Sequence, residues 1–276
     1  MTYKTILVHL DLNGDNEGVL NIAGQLAERF GSRVIGIAAA QPTHPLYEEG
    51  FAMMDVVAEE RSELDGELAE CRAQFHRALE HRVKHIAWRS AVTFQSLSDY
   101  IADEARCADL IVTGKDIGAS LLDNSRRVHI GDLAIRAGRP VLIVPQGITH
   151  LTMEHVFLAW KDTKEARRAA LDALPLFHAA GNVTVLEVTS EGDQAHAEAR
   201  VRDVERWLEQ HKIPATPLSV GTSSEHAGYL HAELLNHKCD LLVAGAYGHN
   251  RLGEWVFGGV TQDVLLDPDF CVLLSH

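Results

Sequence analysis

The sequence predicts an α/β protein built from two doubly wound domains, each with a five-stranded parallel sheet. The first observation behind this fold class is an internal repeat: residues 109–114 read DLIVTG and residues 240–245 read DLLVAG, an offset of 131 residues. The second is that short, fully apolar runs alternate with helix-like segments in both copies. Apolar strands separated by helices are typical of a parallel sheet that is covered on both faces.

The two copies differ in length near their starts. ILVHLD at 6–11 lies over VFLAWK at 156–161 with an offset of 150 residues, against 131 further along. The difference of 19 residues predicts extra sequence in the first copy, and residues 41–60 are its expected location. We therefore predict two domains that span 1–147 and 152–276.

The elements of the first copy follow from periodicity and from helix-ending residues. Val19, Ile22 and Leu26 fall on one helical face, and Gly31 ends that helix. The predicted order is the strand ILVHL, a helix to Phe30, the strand RVIGIAA, a helix from about Met54 to Leu79, the strand HIAWR, a helix around Leu97 to Ala105, the strand LIVTG, a helix before Gly138 and the strand VLIVP.

The second copy repeats this order. Its predicted elements are the strand VFLAW, a helix through Ala166 to Phe177, the strand VTVLEV, a helix from about Ala195 to Gln210, the strand TPLSV, a helix ending near His237, the strand LLVAG, a short helix after Gly259 and the strand CVLLS. Right-handed crossovers make the Rossmann-like strand order 3-2-1-4-5 the expected topology of each copy.

Composition excludes several classes of protein. Apolar residues make up 46% and charged residues 23%, and the net charge is −14, so we expect no broad nucleic-acid surface. No apolar run approaches the ~18 residues of a membrane span, and the start MTYKTILVHLD lacks the features of a signal peptide. We expect a cytoplasmic protein that does not contact membranes.

The cysteines and histidines do not predict a metal site. The cysteines show no zinc-binding spacing, and we interpret all four as buried small apolar residues: Cys71, Cys107, Cys239 and Cys271. His81 and His85 stand one helical turn apart if their segment is helical, but the 16 histidines are otherwise scattered.

A glycine-rich loop marks the candidate ligand site. Residues 245–261 read GAYGHNRLGEWVFGGVT and follow the fourth strand of the second copy, where a doubly wound sheet binds its ligands. Gly245 and Gly248 allow the backbone to approach a ligand closely. Gly258 precedes the start of the last helix, whose free N–H groups favour phosphate.

These residues are similar to the nucleotide loop Gly-x2-Gly-x9-Gly-(Ser/Thr) of the universal stress proteins, and the whole chain resembles a tandem member of that family. The resemblance implies a bound ATP or related nucleotide, with Mg²⁺ or Mn²⁺ bridging its phosphates. Gly259 stands where the family has Ser or Thr, while Val260 and Thr261 fit the pattern. Lys161 replaces the family's usual Asp at the end of the first strand, and Val188 in the second strand completes the candidate nucleotide-binding residues.

The first copy departs from this pattern. The offset of 131 residues places Gly114, Ile117, Arg127 and Val128 at the four loop positions, so only the first glycine is kept. Asp11 does retain the acidic residue at the end of the first strand. We expect nucleotide binding in the second copy alone.

Three functions remain open from the sequence. The first is a stress-response protein that binds a nucleotide and acts as a conformational or partner-choice switch on a protein not identified by the sequence. The second is a slow ATPase that uses the same loop, although no P-loop or general base is evident. The third is an interaction protein without a ligand. Trp160 either stacks on a base or fills the core.

The last strand of each copy is an exposed edge in the order 3-2-1-4-5. Unpaired edges favour aggregation, so the strands at 141–145 and 271–275 need partners. Single-domain universal stress proteins pair these strands across a two-fold axis. We therefore expect the two strands to pair antiparallel within this chain, about a pseudo-two-fold axis, and any further homodimer to use other surfaces.

Overall fold

Ten strands and their flanking helices make up the part of the chain that the structure describes. This structure is a computed structural model that describes residues 2–12, 14–42, 51–115, 128–222, 226–246 and 270–276, without the side chains of 51–57 and 226–227. The order of elements alternates strand and helix, as the sequence predicts for an α/β fold.

The elements before residue 150 begin with β1, five residues from the start. They are Thr5–His9 (β1), Glu17–Phe30 (α1), Arg33–Ala40 (β2), Phe51–Leu79 (α2), Ile86–Val92 (β3), Leu97–Glu104 (α3), a 3-10 turn at Ala105–Cys107, Leu110–Gly114 (β4), Ile130–Arg136 (α4) and Val141–Val144 (β5).

The elements after residue 150 follow the same alternation. They are His155–Ala159 (β6), Lys164–Asp172 (α5), Leu174–Phe177 (α6), Asn182–Ser190 (β7), a 3-10 turn at Glu191–Asp193, Gln194–Gln210 (α7), Ala215–Thr222 (β8), His226–Asn236 (α8), Leu241–Gly245 (β9) and Cys271–Ser275 (β10).

All ten strands lie in one sheet, in the order β3-β2-β1-β4-β5-β10-β9-β6-β7-β8. Every neighbouring pair is parallel except β5 and β10, which run antiparallel with Leu142 opposite Leu273. The antiparallel pairing predicted for these two strands is therefore confirmed. It buries both strands in the middle of the sheet, so neither presents an open edge.

Each face of the sheet carries its own apolar core. One cluster joins the sheet to α1, α2, α5, α6 and α7, and the other joins it to α3, α4 and α8. In β1, Ile6 and Val8 belong to the first cluster and Leu7 to the second. Successive side chains of a strand point to opposite faces, so burial of both faces explains why the strands are apolar throughout.

Two helices show how local sequence sets the element boundaries. Gly31 ends α1 in the left-handed conformation, with φ of 65°, and its N–H donates to Ala27. The helix predicted through Ala166 to Phe177 is in fact two helices that meet at Ala173. Pro175 has no N–H to donate to Leu171, so the helical hydrogen-bond ladder breaks there.

Two expectations about cysteines and histidines need correction. Cys71, Cys239 and Cys271 are buried as predicted, whereas Cys107 is exposed because it ends a surface 3-10 turn. His81 and His85 do not share a helical face, because α2 ends at Leu79 and both residues lie in the connection to β3. No helix within the described ranges is both long and apolar enough to cross a membrane.

Candidate functional site

The sheet has two places where a ligand crevice is expected. Strand β1 lies between β2 and β4, and strand β6 lies between β7 and β9. The helix after β1 or β6 packs on one face, while α4, which follows β4, packs on the other. Helices that leave neighbouring strands toward opposite faces open a crevice at the carboxyl ends of those strands.

Gly245 ends β9 next to β6 and faces the first turn of α5. A Cβ atom at this position would lie 2.5 Å from the backbone nitrogen of Ala166 and 2.5 Å from the carbonyl carbon of Glu165. Such distances are too short for any side chain, so the packing of β9 against α5 requires glycine here. The predicted contact of Gly245 with a nucleotide remains a prediction.

The start of α5 lies beside this crevice. Thr163 caps the helix, because its hydroxyl oxygen accepts a hydrogen bond from the N–H of Ala166 at 3.3 Å. Glu165 in the first turn is only 2% exposed, and Lys164 Nζ lies 3.5 Å from its Oε1. A buried carboxylate and the positive end of a helix thus adjoin the end of β9.

The structure places three of the candidate nucleotide-binding residues. Lys161 follows β6 and is exposed, while Gly245 ends the adjacent strand β9. Val188 lies in β7 and packs against the core on the α8 face. The remaining candidates, Gly248, Gly258, Gly259, Val260 and Thr261, lie outside the described residues.

A cavity of about 60 Å³ lies at the other crevice, beyond β1 and β4. Its lining includes His9, Asn16, Thr113, Gly114 and Lys115. This volume accommodates a few water molecules and is well below the ~300 Å³ at which small-molecule sites begin.

His9 is the most unusual group in this cavity. Its side chain is 8% exposed, and its Nδ1 lies 2.9 Å from the hydroxyl oxygen of Thr113. Burial lowers the pKa of His9 from its ordinary 6.5 to about 4, although the negative charge of Asp11 favours the protonated form. The imidazole is therefore neutral at pH 7.

Asn16 closes the loop between β1 and α1. Its amide oxygen accepts from the N–H of Asp11 at 2.9 Å, and its Nδ2 donates to the carbonyl of Asp11 at 2.8 Å. Nδ2 also donates to Gln74 Oε1 of α2 at 3.2 Å. These bonds hold the rim of the cavity on the neighbouring helix.

Of the residues that replace the glycine loop in the first copy, Gly114 and Val128 line this cavity, while Ile117 and Arg127 lie outside the described residues. The sequence analysis missed His9 and Thr113. The register pairs Val8 with Val112, so His9 and Thr113 are the next residues on adjacent strands. A polar residue at the same place in two apolar runs was the available signal.

No metal centre is evident in the part of the chain that the structure describes. Within it, no three or more His, Cys, Asp or Glu side chains are grouped so that they could hold a metal ion. A metal ion at either crevice would accordingly need ligands from a bound molecule, as the bridging of nucleotide phosphates by Mg²⁺ provides.

Comparison with known proteins gives a fold but no family assignment. No family model matches the sequence, and no curated protein matches it. A universal stress protein from Archaeoglobus fulgidus matches with a TM-score of 0.68 at 17% identity, over 98% of this chain and 97% of that chain. A protein of unknown function from Pseudomonas aeruginosa matches with a TM-score of 0.60 at 16% identity, over 99% of this chain and 92% of that chain. The chain therefore has the α/β fold of the universal stress proteins.

Proposed function

We propose that this chain is a cytoplasmic stress-response protein that binds ATP or a related nucleotide at the carboxyl ends of β6 and β9. The observation that carries the proposal is the position of the glycine-rich loop. Its Gly-x2-Gly-x9-Gly pattern begins at Gly245, the last residue of β9, beside β6. A loop of this kind at such a crevice presents backbone N–H groups to phosphate oxygens.

The proposal includes two domains, 1–147 and 152–276, related by a pseudo-two-fold axis. The strand order on either side of the β5–β10 pair supports this arrangement, since it reads β3-β2-β1-β4-β5 on one side and β10-β9-β6-β7-β8 on the other. Two copies of one topology that meet at a single antiparallel pair are what an internal duplication produces.

Nucleotide binding is assigned to the second domain. Three loop glycines, Gly245, Gly248 and Gly258, are present there, whereas the first domain keeps only Gly114. In the first domain the imidazole of His9 occupies the corresponding crevice, and the cavity of about 60 Å³ is too small for a nucleotide.

The described residues of the second domain fit a nucleotide with its metal. Glu165 supplies a carboxylate beside the end of β9, of the type that Mg²⁺ or Mn²⁺ prefers, and Lys161 supplies an exposed positive charge beside the end of β6. The nucleotide would bridge these elements, and its presence or absence would change the surface offered to a protein partner.

Calorimetric titration of the full chain with ATP and MgCl₂ tests the proposal. Gly258→Arg gives the second loop the arginine that the first copy has, and we expect it to abolish measurable binding. Gly114→Ala is the matched control, because its added Cβ would lie no closer than 3.6 Å to Val19 Cγ2. We expect binding by this control to stay within about twofold of the unchanged chain.

Two outcomes would contradict the assignment. Equal loss of binding in both variants would show that the second domain is not the specific site. An unchanged chain that binds no ATP would favour an interaction protein without a nucleotide.

A further inference from the structure

A second and larger cavity lies between helices α5 and α7, on the helix-covered face of the sheet. Its volume is about 540 Å³, within the ~300–1,000 Å³ of small-molecule sites. It is lined by Trp160 and Asp162 after β6, by Arg167, Ala170 and Leu171 of α5, and by Arg200, Asp203, Val204 and Trp207 of α7.

The lining is mainly apolar and aromatic. Trp160 and Trp207 both pack against the core on this face, to which Ala170 and Val204 also belong. Leu171 is 40% exposed at the rim, an unusual exposure for a large aliphatic side chain. Two indole rings with small aliphatic groups between the helices offer a surface suited to a flat aromatic molecule.

The charged groups of the lining are already paired. Arg200 Nη2 lies 2.5 Å from Glu187 Oε1 and 2.7 Å from Asp193 Oδ2. Arg167 Nη2 lies 2.5 Å from Asp162 Oδ1, and Asp203 pairs with Arg206. An ionic ligand would have to compete with these partners, so the cavity favours an uncharged molecule.

Trp160 also carries an unused hydrogen-bond donor. Its Nε1 is buried and has no acceptor among the residues that the structure describes. Buried indole N–H groups usually find a partner. A carbonyl or hydroxyl oxygen of a bound molecule would supply the missing acceptor.

We propose that the α5–α7 cavity binds a small, uncharged, planar aromatic molecule that carries an acceptor oxygen. The site is distinct from the nucleotide site, because its lining comes from the facing sides of α5 and α7 and contains none of the candidate nucleotide-binding residues. A failure of ATP binding therefore leaves this proposal standing, and the reverse is also true.

Coumarin, an uncharged two-ring lactone with a carbonyl oxygen, is the probe for this site. Calorimetric titration of the full chain with coumarin is expected to show binding at one site. Ala170→Phe fills the cavity, and we expect it to weaken binding about tenfold or more. Leu235→Phe is the matched control, because Leu235 is 44% exposed on α8 at the other face of the sheet.

A second pair of measurements tests the hydrogen bond. Trp160→Phe keeps an aromatic ring but removes the N–H, so coumarin affinity is expected to fall several-fold. Indole has two fused rings but no acceptor oxygen, and its affinity should change less than twofold in the same variant. If Ala170→Phe does not fold by circular dichroism, Leu171→Asp at the exposed rim replaces it, with the same expected loss.

Three results would overturn the proposal. The first is no coumarin binding by the unchanged chain at about 1 mM. The second is unchanged binding in a folded cavity variant. The third is a dimer of the unchanged chain in sedimentation that Ala170→Phe dissociates, which would assign the cavity to a second copy of the chain.

Discussion

The buried histidine at the end of β1 makes the stability of this protein sensitive to mild acid. His9 has a folded-state pKa of about 4, below its ordinary value of 6.5, because burial disfavours the imidazolium. As the pH falls below 6.5 the unfolded chain takes up a proton at this residue and the folded chain does not. Stability is therefore complete above pH 6.5 and is lost progressively as the pH falls toward 4.

The size of the effect follows from the two pKa values. Linkage between pKa values near 6.5 and 4 predicts a loss of about 2 kcal/mol between pH 7 and pH 5 from this residue alone. The other 15 histidines and the carboxylates also titrate in this interval. Their contribution must be removed by comparison with a variant that differs at His9 only.

His9→Gln is that variant, since glutamine has no charge at any pH and can still hydrogen bond to Thr113. Urea unfolding of both proteins at pH 7 and pH 5 gives four free energies of unfolding. We expect the unchanged chain to lose about 2 kcal/mol more than the variant over this interval. Equal losses in the two proteins would refute the conclusion that His9 is buried in its neutral form.

Two further predictions concern the sheet and its packing. Gly245→Ala is expected to lower the free energy of unfolding by about 1–3 kcal/mol in urea titration, because its Cβ would lie 2.5 Å from the backbone of α5. Gly114→Ala, whose Cβ meets nothing closer than 3.6 Å, should cost less than about 1 kcal/mol, and equal costs would contradict the close packing. Hydrogen exchange should be slower in β5 and β10, at the centre of the ten-stranded sheet, than in β3 and β8 at its edges. Fast exchange along both central strands would show that β5 and β10 do not form a stable pair.

The elements of the fold could be predicted because their signals are local. Residues 5–9 are apolar on both faces of the strand, and Gly31 and Pro175 end or break helices through their own backbone chemistry. The Pro175 break was visible in the sequence but was overridden by an apolar pattern that continues through it. The pairing of β5 with β10 followed from a simple requirement, that two apolar edge strands need partners.

The candidate nucleotide residues were accessible to sequence analysis for a related reason. A glycine loop is recognised by spacing along the chain, which needs no tertiary contact. The structural requirement for Gly245 is different, since it arises from the start of α5, about 80 residues away in sequence. Spacing thus identified the glycine, and packing supplied a reason for it that spacing does not contain.

By itself the sequence determined the alternation of elements, the duplication and the position of the glycine loop. Only the tertiary structure decided that His9 is buried against Thr113, 104 residues away in sequence, with a lowered pKa. It also decided that α5 and α7 stand far enough apart to leave a cavity between Trp160 and Trp207. Burial and cavity volume depend on how helices pack across the sheet, and the periodicity of one segment carries no information about that distance.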